Sequence, residues 1–343
     1  MKAFILAAGI GTRLKPLTNT IPKPMATILG KPVLHHIVNF LRHSGFKTAM
    51  INLHYRSEVI TNYFKSNPTE LELLFSFEKK LLGTAGAIKK NAGFFEKTFV
   101  VISGDALVDI DLKKALAFHK EKKGIATIIL KVPDFKLEYG VAITNNNGEI
   151  ESFMEKPLCS NVFNDKVNTG IYIFEPQIFD FIPENKFFDF SKDLFPTLMR
   201  KKVKVFGFET KDYWKDIGDL SGYKNGNFDA IDGKIKLYYY GHLIKKSYTH
   251  ICRPSHIHKS VKLYAPYFIG KNVVINENSV IKPYSVISDD TKIGVGVHIE
   301  KTVILNSVKI SSGVKLTNSL VGNCTQIPSG MTLFNSVIMQ SGK

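Results

Sequence analysis

The sequence predicts an α/β domain followed by a parallel β-helix, and three observations carry that expectation. Short apolar runs alternate with amphipathic stretches as far as about residue 230, turn residues punctuate them, and after residue 255 the aliphatic spacing changes to six. In the first part, Lys2–Ala8 reads as a buried strand, Val33–Ser44 as a helix ended by Gly45, and Thr48–Asn52 as a strand. Glu58–Lys65 reads as a helix, Leu71–Ser76 as a strand, Gly83–Asn91 as a helix, Phe99–Ser103 as a strand, and Leu112–Lys122 as a helix stopped by Gly124. This alternation implies a Rossmann-like, mostly parallel sheet with helices on both faces and ligands at the carboxyl ends of the strands. Four further strands are expected at Ile125–Val132, Gly140–Thr144, Glu149–Glu155 and Val167–Phe174. They make the sheet mixed, with an antiparallel insertion.

The second part has a different period. Ile257, Leu263, Ile269, Ile275, Ile281, Ile287, Ile293, Ile299 and Leu305 are aliphatic and six apart. Neither a helix (3.6) nor a strand (2) generates that spacing, whereas a hexapeptide β-helix does, with three short strands to each coil. The aliphatics point inward, and Gly270, Asn272, Asn276, Asn278, Gly294 and Gly296 suit the turns. After Leu305 the phase slips and an irregular continuation is expected, although the triplets at Asn306, Asn318 and Asn335 echo one another. The division is therefore residues 1–235 as an α/β domain, 236–254 as a linker, and 255–343 as the solenoid.

Composition narrows the function classes. Hydrophobic content of 44% and charged content of 22% are ordinary for a soluble globular chain. A net charge of +16 invites a nucleic-acid reading, but the excess is spread over both parts, with no basic run and no stacking motif. It suits a lysine-rich surface, or a site that gathers polyphosphates. Cys159, Cys252 and Cys324 lie far apart with no CxxC, so neither a disulfide framework nor a metal knuckle is expected. The apolar run Ala3–Ile10 is too short for a leader, and no stretch is long enough to span a membrane. A cytoplasmic protein without nucleic-acid or membrane partners is expected.

The chemistry concentrates in a few strings. The first strand runs into Leu6-Ala7-Ala8-Gly9-Ile10-Gly11-Thr12-Arg13-Leu14, followed by Pro22-Lys23-Pro24-Met25. Glycines there let backbone N–H groups approach a phosphate. Position 14 lacks the third glycine of a dinucleotide fingerprint, and no Gly-Lys-Ser/Thr follows, so the loop is neither common type. Arg13 and Lys23 are cations placed to stabilise developing negative charge. Ser103-Gly104-Asp105 sets a carboxylate at the end of an apolar strand, and Trp214-Lys215-Asp216-Ile217-Gly218 carries a second. Asp109, Asp111 and Asp219 lie nearby.

Leu6 to Leu14, Pro16-Leu17-Thr18, Pro22 to Met25 and Gly30-Lys31-Pro32 resemble, without departure, the signature of the sugar-1-phosphate nucleotidyltransferase (NDP-sugar pyrophosphorylase) family. The resemblance extends from residue 2 to about 230 and returns in the solenoid, which it implies is left-handed. It implies that Leu6, Ala8, Gly9, Gly11, Thr12 and Arg13 hold a nucleoside triphosphate, with Arg13 on the β,γ-phosphates and Lys23 neutralising charge in the transition state. It implies Mg²⁺ on Asp105 and Asp216. Glu155-Lys156-Pro157 resembles the family segment in which Lys156 meets the phosphate of the sugar 1-phosphate and Glu155 its hydroxyls. Gly140, Asn168 and Thr169 would line the sugar pocket.

Glu78 and Leu82-Gly83-Thr84-Ala85-Gly86 are similar to the mannose-1-phosphate guanylyltransferase branch, which implies Gly83 and Thr84 under the nucleoside. A carboxylate can accept both the N1–H and the exocyclic amine of guanine, so Glu78 suits a guanine reader. It suits a solvated surface carboxylate ahead of Lys79 and Lys80 equally well. The expected reaction joins GTP and mannose 1-phosphate with release of pyrophosphate, in a homo-oligomer. Thymidylyl or uridylyl transfer to glucose 1-phosphate, guanylyl transfer to a heptose 1-phosphate, and a noncatalytic sugar-nucleotide sensor are the alternatives. His35 and His36, Phe187-Phe188-Asp189-Phe190 and Tyr238-Tyr239-Tyr240 read as structural.

Overall fold

A computed structural model describes residues 1–131, 141–145, 147–154, 166–239, 242–243 and 249–340. The chain forms two compact units, residues 1–10 with 37–214, and residues 11–36 with 215–343. The stretch 236–254 falls within the second.

In the first unit the strands of the main sheet are β1 (Lys2–Leu6), β2 (Thr48–Leu53), β3 (Glu72–Phe77), β4 (Phe99–Ser103), β5 (Ala126–Lys131), β6 (Val141–Thr144), β7 (Ile150–Met154), β8 (Val167–Phe174) and β9 (Val205–Thr210). Their sheet runs β7-β6-β8-β4-β1-β2-β3, with β5 on β8 and β9 on β5. β1 is parallel to both β2 and β4, and β3 is parallel to β2. A strand flanked on both sides and covered on both faces needs a continuous apolar run, which Ala3, Phe4 and Ile5 supply at zero exposure. β8 is antiparallel to β4 and β5, and β6 to β7, which is the mixed insertion expected from the sequence.

The helices are α1 (Val33–His43), α2 (Ser57–Ser66), α3 (Gly83–Lys90), α4 (Leu112–Lys122), α5 (Phe195–Arg200) and α6 (Leu220–Ile231). Asp111 accepts from the Lys113 and Lys114 N–H groups and caps α4. Those bonds hold its carboxyl below the usual carboxylate range. Phe95, Phe99 and Phe179 stack in the core, with ring centroids 4.1 and 5.6 Å apart. Buried His119 joins the Thr127 hydroxyl at 2.8 Å to the Glu175 carboxylate at 3.2 Å. With Thr127 at zero exposure this hydroxyl–imidazole–carboxylate string is a core brace, and burial lowers the His119 pKa.

In the second unit three parallel sheets of six, five and five short strands form the β-helix. Coil-to-coil register is 18 residues at first, as in Ile257 on Ile275 and Ile269 on Ile287. It then becomes 17, as in Ile287 on Ile304 and Ile304 on Val321. The continuation is thus regular and not irregular: one turn in three loses a residue, and Ile304, instead of Leu305, stands in the ladder. The turns show the same rhythm in their left-handed residues, Asn272, Asn278, Tyr284, Asp290 and Gly296 at steps of six, then Lys301 after five.

The hairpin of Thr27–Ile28 and Lys31–Pro32 is held by α6, where the Tyr223 hydroxyl donates to Thr27 O at 2.7 Å and Asn227 Oδ1 accepts from Leu29 N at 3.0 Å. His36 is buried, with Nε2 3.0 Å from Ile28 O, and burial pushes its pKa down to about 4; that of half-buried His35 falls to about 3. No helix among the described residues is long and apolar enough to cross a membrane.

A histidine whose folded pKa is depressed binds its proton only in the unfolded chain, so the cost appears as pH falls below 6.5 and saturates near the folded value. Stability should drop between pH 7 and pH 5, with His36 accounting for about 2 kcal/mol. Denaturant unfolding of His36→Gln against the parent should show a visibly shallower fall over that range.

Candidate functional site

The carboxyl ends of β1, β2 and β3 meet through side chains. Beyond Leu6 the chain leaves β1, and buried Ala7 donates its N–H to Asn52 Oδ1 at 2.7 Å. Asn52 Nδ2 donates to Glu78 Oε1 at 2.7 Å, and Glu78 Oε2 accepts from Leu82 N at 3.0 Å. Glu78 is 6% exposed, which removes the solvated-surface interpretation.

The turn that follows is clamped from one side. Ala85 and Gly86 donate their N–H groups to Phe188 O, and Phe188 N donates to Leu82 O. Gly83 has φ +74°, and a Cβ there would stand 2.5 Å from Phe188 O, so only glycine fits. Thr84 Oγ1 donates to Asp189 Oδ2 at 3.0 Å and accepts from Phe190 N at 2.7 Å. The segment 187–190, read from the sequence as structural, fixes this turn; Phe190 is buried, whereas Phe187 is exposed. Ala8 is buried, and Gly9 is exposed beyond the end of β1.

At the end of β4, Ser103 Oγ donates to Asp105 Oδ1, which holds that carboxylate at the strand terminus. Thr169 is buried and donates its hydroxyl to Ile129 O at 2.8 Å. Asn168 bridges the Tyr172 hydroxyl and Gly170 N, and the Trp214 indole N–H donates to Thr169 O at 2.8 Å.

The second unit carries a cation and another carboxylate. Gly11, left-handed at φ +71°, lies so near Lys23 that a Cβ would sit 2.8 Å from Lys23 Cβ, and Thr18 Oγ1 donates to Gly11 O at 2.8 Å. Buried Lys23 places Nζ 3.4 Å from Asp216 Oδ1. A Cβ at Gly218 would meet Asp216 Oδ2 at 2.6 Å, so the glycine of this string is the space the carboxylate occupies. Lys215, next in the strand, pairs with Asp229 of α6, which also takes Lys234 at 2.8 Å. Asp219 caps α6 through Gly222 N at 2.7 Å. Thr12 and Arg13 lie on the short turn after Gly11, with Arg13 exposed.

Gly140, Glu155 and Lys156 lie outside the described residues. Among the described residues no group of three or more His, Cys, Asp or Glu side chains could by itself cage a metal. Asp105, in the first unit, and Asp216, in the second, are each a hard oxygen donor held by a neighbouring donor, and a carboxylate of that kind suits Mg²⁺, which takes one or two protein carboxylates and leaves the remaining positions to phosphate and water. Asn52, Asp189 and Asp229 were not singled out from the sequence. The signal for Asn52 was a polar residue ending an apolar strand, and its partners lie 45 and 26 residues away.

Removing the Thr84 hydroxyl tests the clamp. Thr84→Val leaves Asp189 Oδ2 and the Phe190 N–H without it and should lower unfolding stability by about 2 kcal/mol. Hydrogen exchange should report the loss as faster exchange at Phe190.

Residues 2–232 match the Nucleotidyl transferase family and residues 263–341 match the GMPPB C-terminal domain. Over 333 residues the chain is 36% identical to a UTP–glucose-1-phosphate uridylyltransferase of Synechocystis, covering 87% of this chain and 86% of that one. It is 30% identical to a probable mannose-1-phosphate guanylyltransferase of Oryza sativa, covering 88% and 83%. The crystal structure of HddC from Yersinia pseudotuberculosis with GMP-PN superposes with a TM-score of 0.58 at 31% identity, over 66% of this chain and 97% of that one. The strings that carry the groups described above fall within the first matched segment, and the chain belongs to the nucleotidyl transferase family, among the sugar-1-phosphate nucleotidyltransferases.

Proposed function

We propose that the chain transfers the guanylyl group of GTP to mannose 1-phosphate, releasing pyrophosphate. The observation that carries the base assignment is Glu78, a buried carboxylate beside the Gly83 turn. Each of its oxygens already accepts one hydrogen bond and keeps a second acceptor position. Guanine offers two donors to such a group, whereas uracil or thymine offers one donor and a repelling carbonyl. The mannose-1-phosphate guanylyltransferase relatives and the GMP-PN complex of HddC support this reading. The Synechocystis relative favours a second one, UTP with glucose 1-phosphate, on the same machinery.

The acceptor phosphate oxygen is ionised at neutral pH, so attack on the α-phosphorus needs no protein base. The backbone from Leu6 to Gly11 cradles the triphosphate, and Arg13 holds its β,γ-phosphates. Lys23 neutralises charge as it moves onto pyrophosphate, and Lys156 positions the acceptor phosphate. Asp105 and Asp216 are the carboxylates that would hold Mg²⁺, which would supply charge neutralisation at the phosphoryl oxygens. Gly140, Glu155, Asn168 and Thr169 form the sugar side, where the buried Thr169 hydroxyl acts by shaping the backbone.

Pyrophosphate release across four nucleoside triphosphates and a set of sugar 1-phosphates tests the assignment. GTP with mannose 1-phosphate should give the highest kcat/KM, and preference for UTP or dTTP with glucose 1-phosphate would overturn the base and sugar but not the reaction. Asp105→Asn and Asp216→Asn should each lower kcat at least ~100-fold, and Gly218→Ala, which crowds the Asp216 carboxylate, should follow them. A folded Gly218→Ala protein with parental kcat and Mg²⁺ dependence would remove Asp216 from the metal site.

A further inference from the structure

Asn52 is 3% exposed at the carboxyl end of β2, a strand otherwise built of apolar residues and Thr48. A buried primary amide is retained only where its donors and acceptor are used. Here the orientation of the amide follows from its partners. The Ala7 N–H can only donate, so it must face Oδ1; the Glu78 carboxylate facing the other side can only accept when ionised, so it must face Nδ2. The chain of bonds then runs from Ala7 N–H through Asn52 and both oxygens of Glu78 to Leu82 N–H. It ties the backbone just beyond β1 to the turn that begins α3, across three neighbouring parallel strands.

We propose that Asn52 is a positioning residue for nucleotide recognition, locking the Glu78 carboxylate in one orientation and joining the triphosphate loop to the wall that reads the base. This rests on the reading that residues 6–11 and 78–84 hold the nucleotide. The amide is suited to this place because it accepts on one side and donates on the other. Asn52→Asp would set two carboxylates face to face, and Asn52→Leu would strand both the Ala7 N–H and Glu78 Oε1. With Glu78 tethered through both oxygens, its remaining acceptor positions point in fixed directions, and base recognition and triphosphate placement move as one.

Asn52→Leu should raise the KM for the preferred nucleotide about 10-fold and shrink its kcat/KM advantage over the next nucleotide by about as much, with unchanged Mg²⁺ dependence. A merely structural role would lower the melting temperature and leave the nucleotide ranking intact. The second variant rebuilds the chain of bonds with its polarity moved. When Asn52→Asp is combined with Glu78→Gln, the carboxylate introduced at position 52 accepts from Ala7 N–H and from the amide introduced at position 78. The oxygen of that amide accepts from Leu82 N–H, and net charge is conserved. Each single change should lower the melting temperature and the pair should restore it, while the ranking stays lost because no carboxylate remains at position 78.

Parental KM and ranking in a folded Asn52→Leu protein would overturn the proposal, as would a double variant melting no higher than its two parents. Should Asn52→Leu not fold, the double variant decides alone. Restoration of both melting temperature and ranking would uphold Asn52 and overturn the Glu78 carboxylate as the reader. A wild-type preference for a pyrimidine nucleotide would overturn the guanine assignment while these same comparisons still decide the role of Asn52.

Discussion

Lys23 beside Asp216 is the contact around which this part of the second unit is built. An ammonium taken out of water is costly unless a partner and close packing compensate it. That requirement explains residues that are otherwise unrelated in sequence. Gly11 has no side chain because Lys23 packs where one would be, and Gly218 has none because the Asp216 carboxylate does. Thr18 holds the carbonyl of Gly11, and α6 holds both the hairpin after Lys23 and, through Asp229, the lysine next to Asp216. Three signature strings of the family are thus three sides of one arrangement.

The first unit follows the same logic with hydrogen bonds in place of an ion pair. Asp105 is held by Ser103, Glu78 by Asn52 and Leu82, and Thr84 by the segment at 188–190. In each case the side chain is oriented by the protein's own bonds, which is how a site stabilises developing charge without reorganising at the moment of reaction. Phosphoryl transfer between ionised oxygens asks for little else from a protein. The hydroxyl–imidazole–carboxylate string Thr127–His119–Glu175 is built around the buried His119 and Thr127.

Much of this was legible in the sequence, and the rest was hidden for physical reasons. The parallel strands could be read because doubly covered strands must be apolar throughout, and the solenoid because an inward aliphatic recurs every six residues. The 17-residue coils were not legible, since losing one turn residue changes the phase but leaves no mark on any single position. Helix α6 was hidden because Gly222, Asn225, Gly226 and Asn227 disfavour a helix, and tertiary bonds from Tyr223 and Asn227 override that propensity. Candidate residues could be singled out where they sit in strings, as Asp105 and Asp216 do. What each one touches was not, because Lys23 and Asp216 are 193 residues apart and Ala7 and Asn52 are 45 apart.

The central claim is that the nucleotidyl group passes directly from triphosphate to sugar phosphate, by positioned charge and without a protein nucleophile. The stereochemistry at the transferred phosphorus tests it most directly. Turnover of a nucleoside 5′-(1-thiotriphosphate) of known configuration, followed by phosphorus NMR of the sugar-nucleotide product, should show inversion, the outcome of a single in-line displacement. Retention would mean two displacements through a covalent nucleotidyl-enzyme, and would contradict the account.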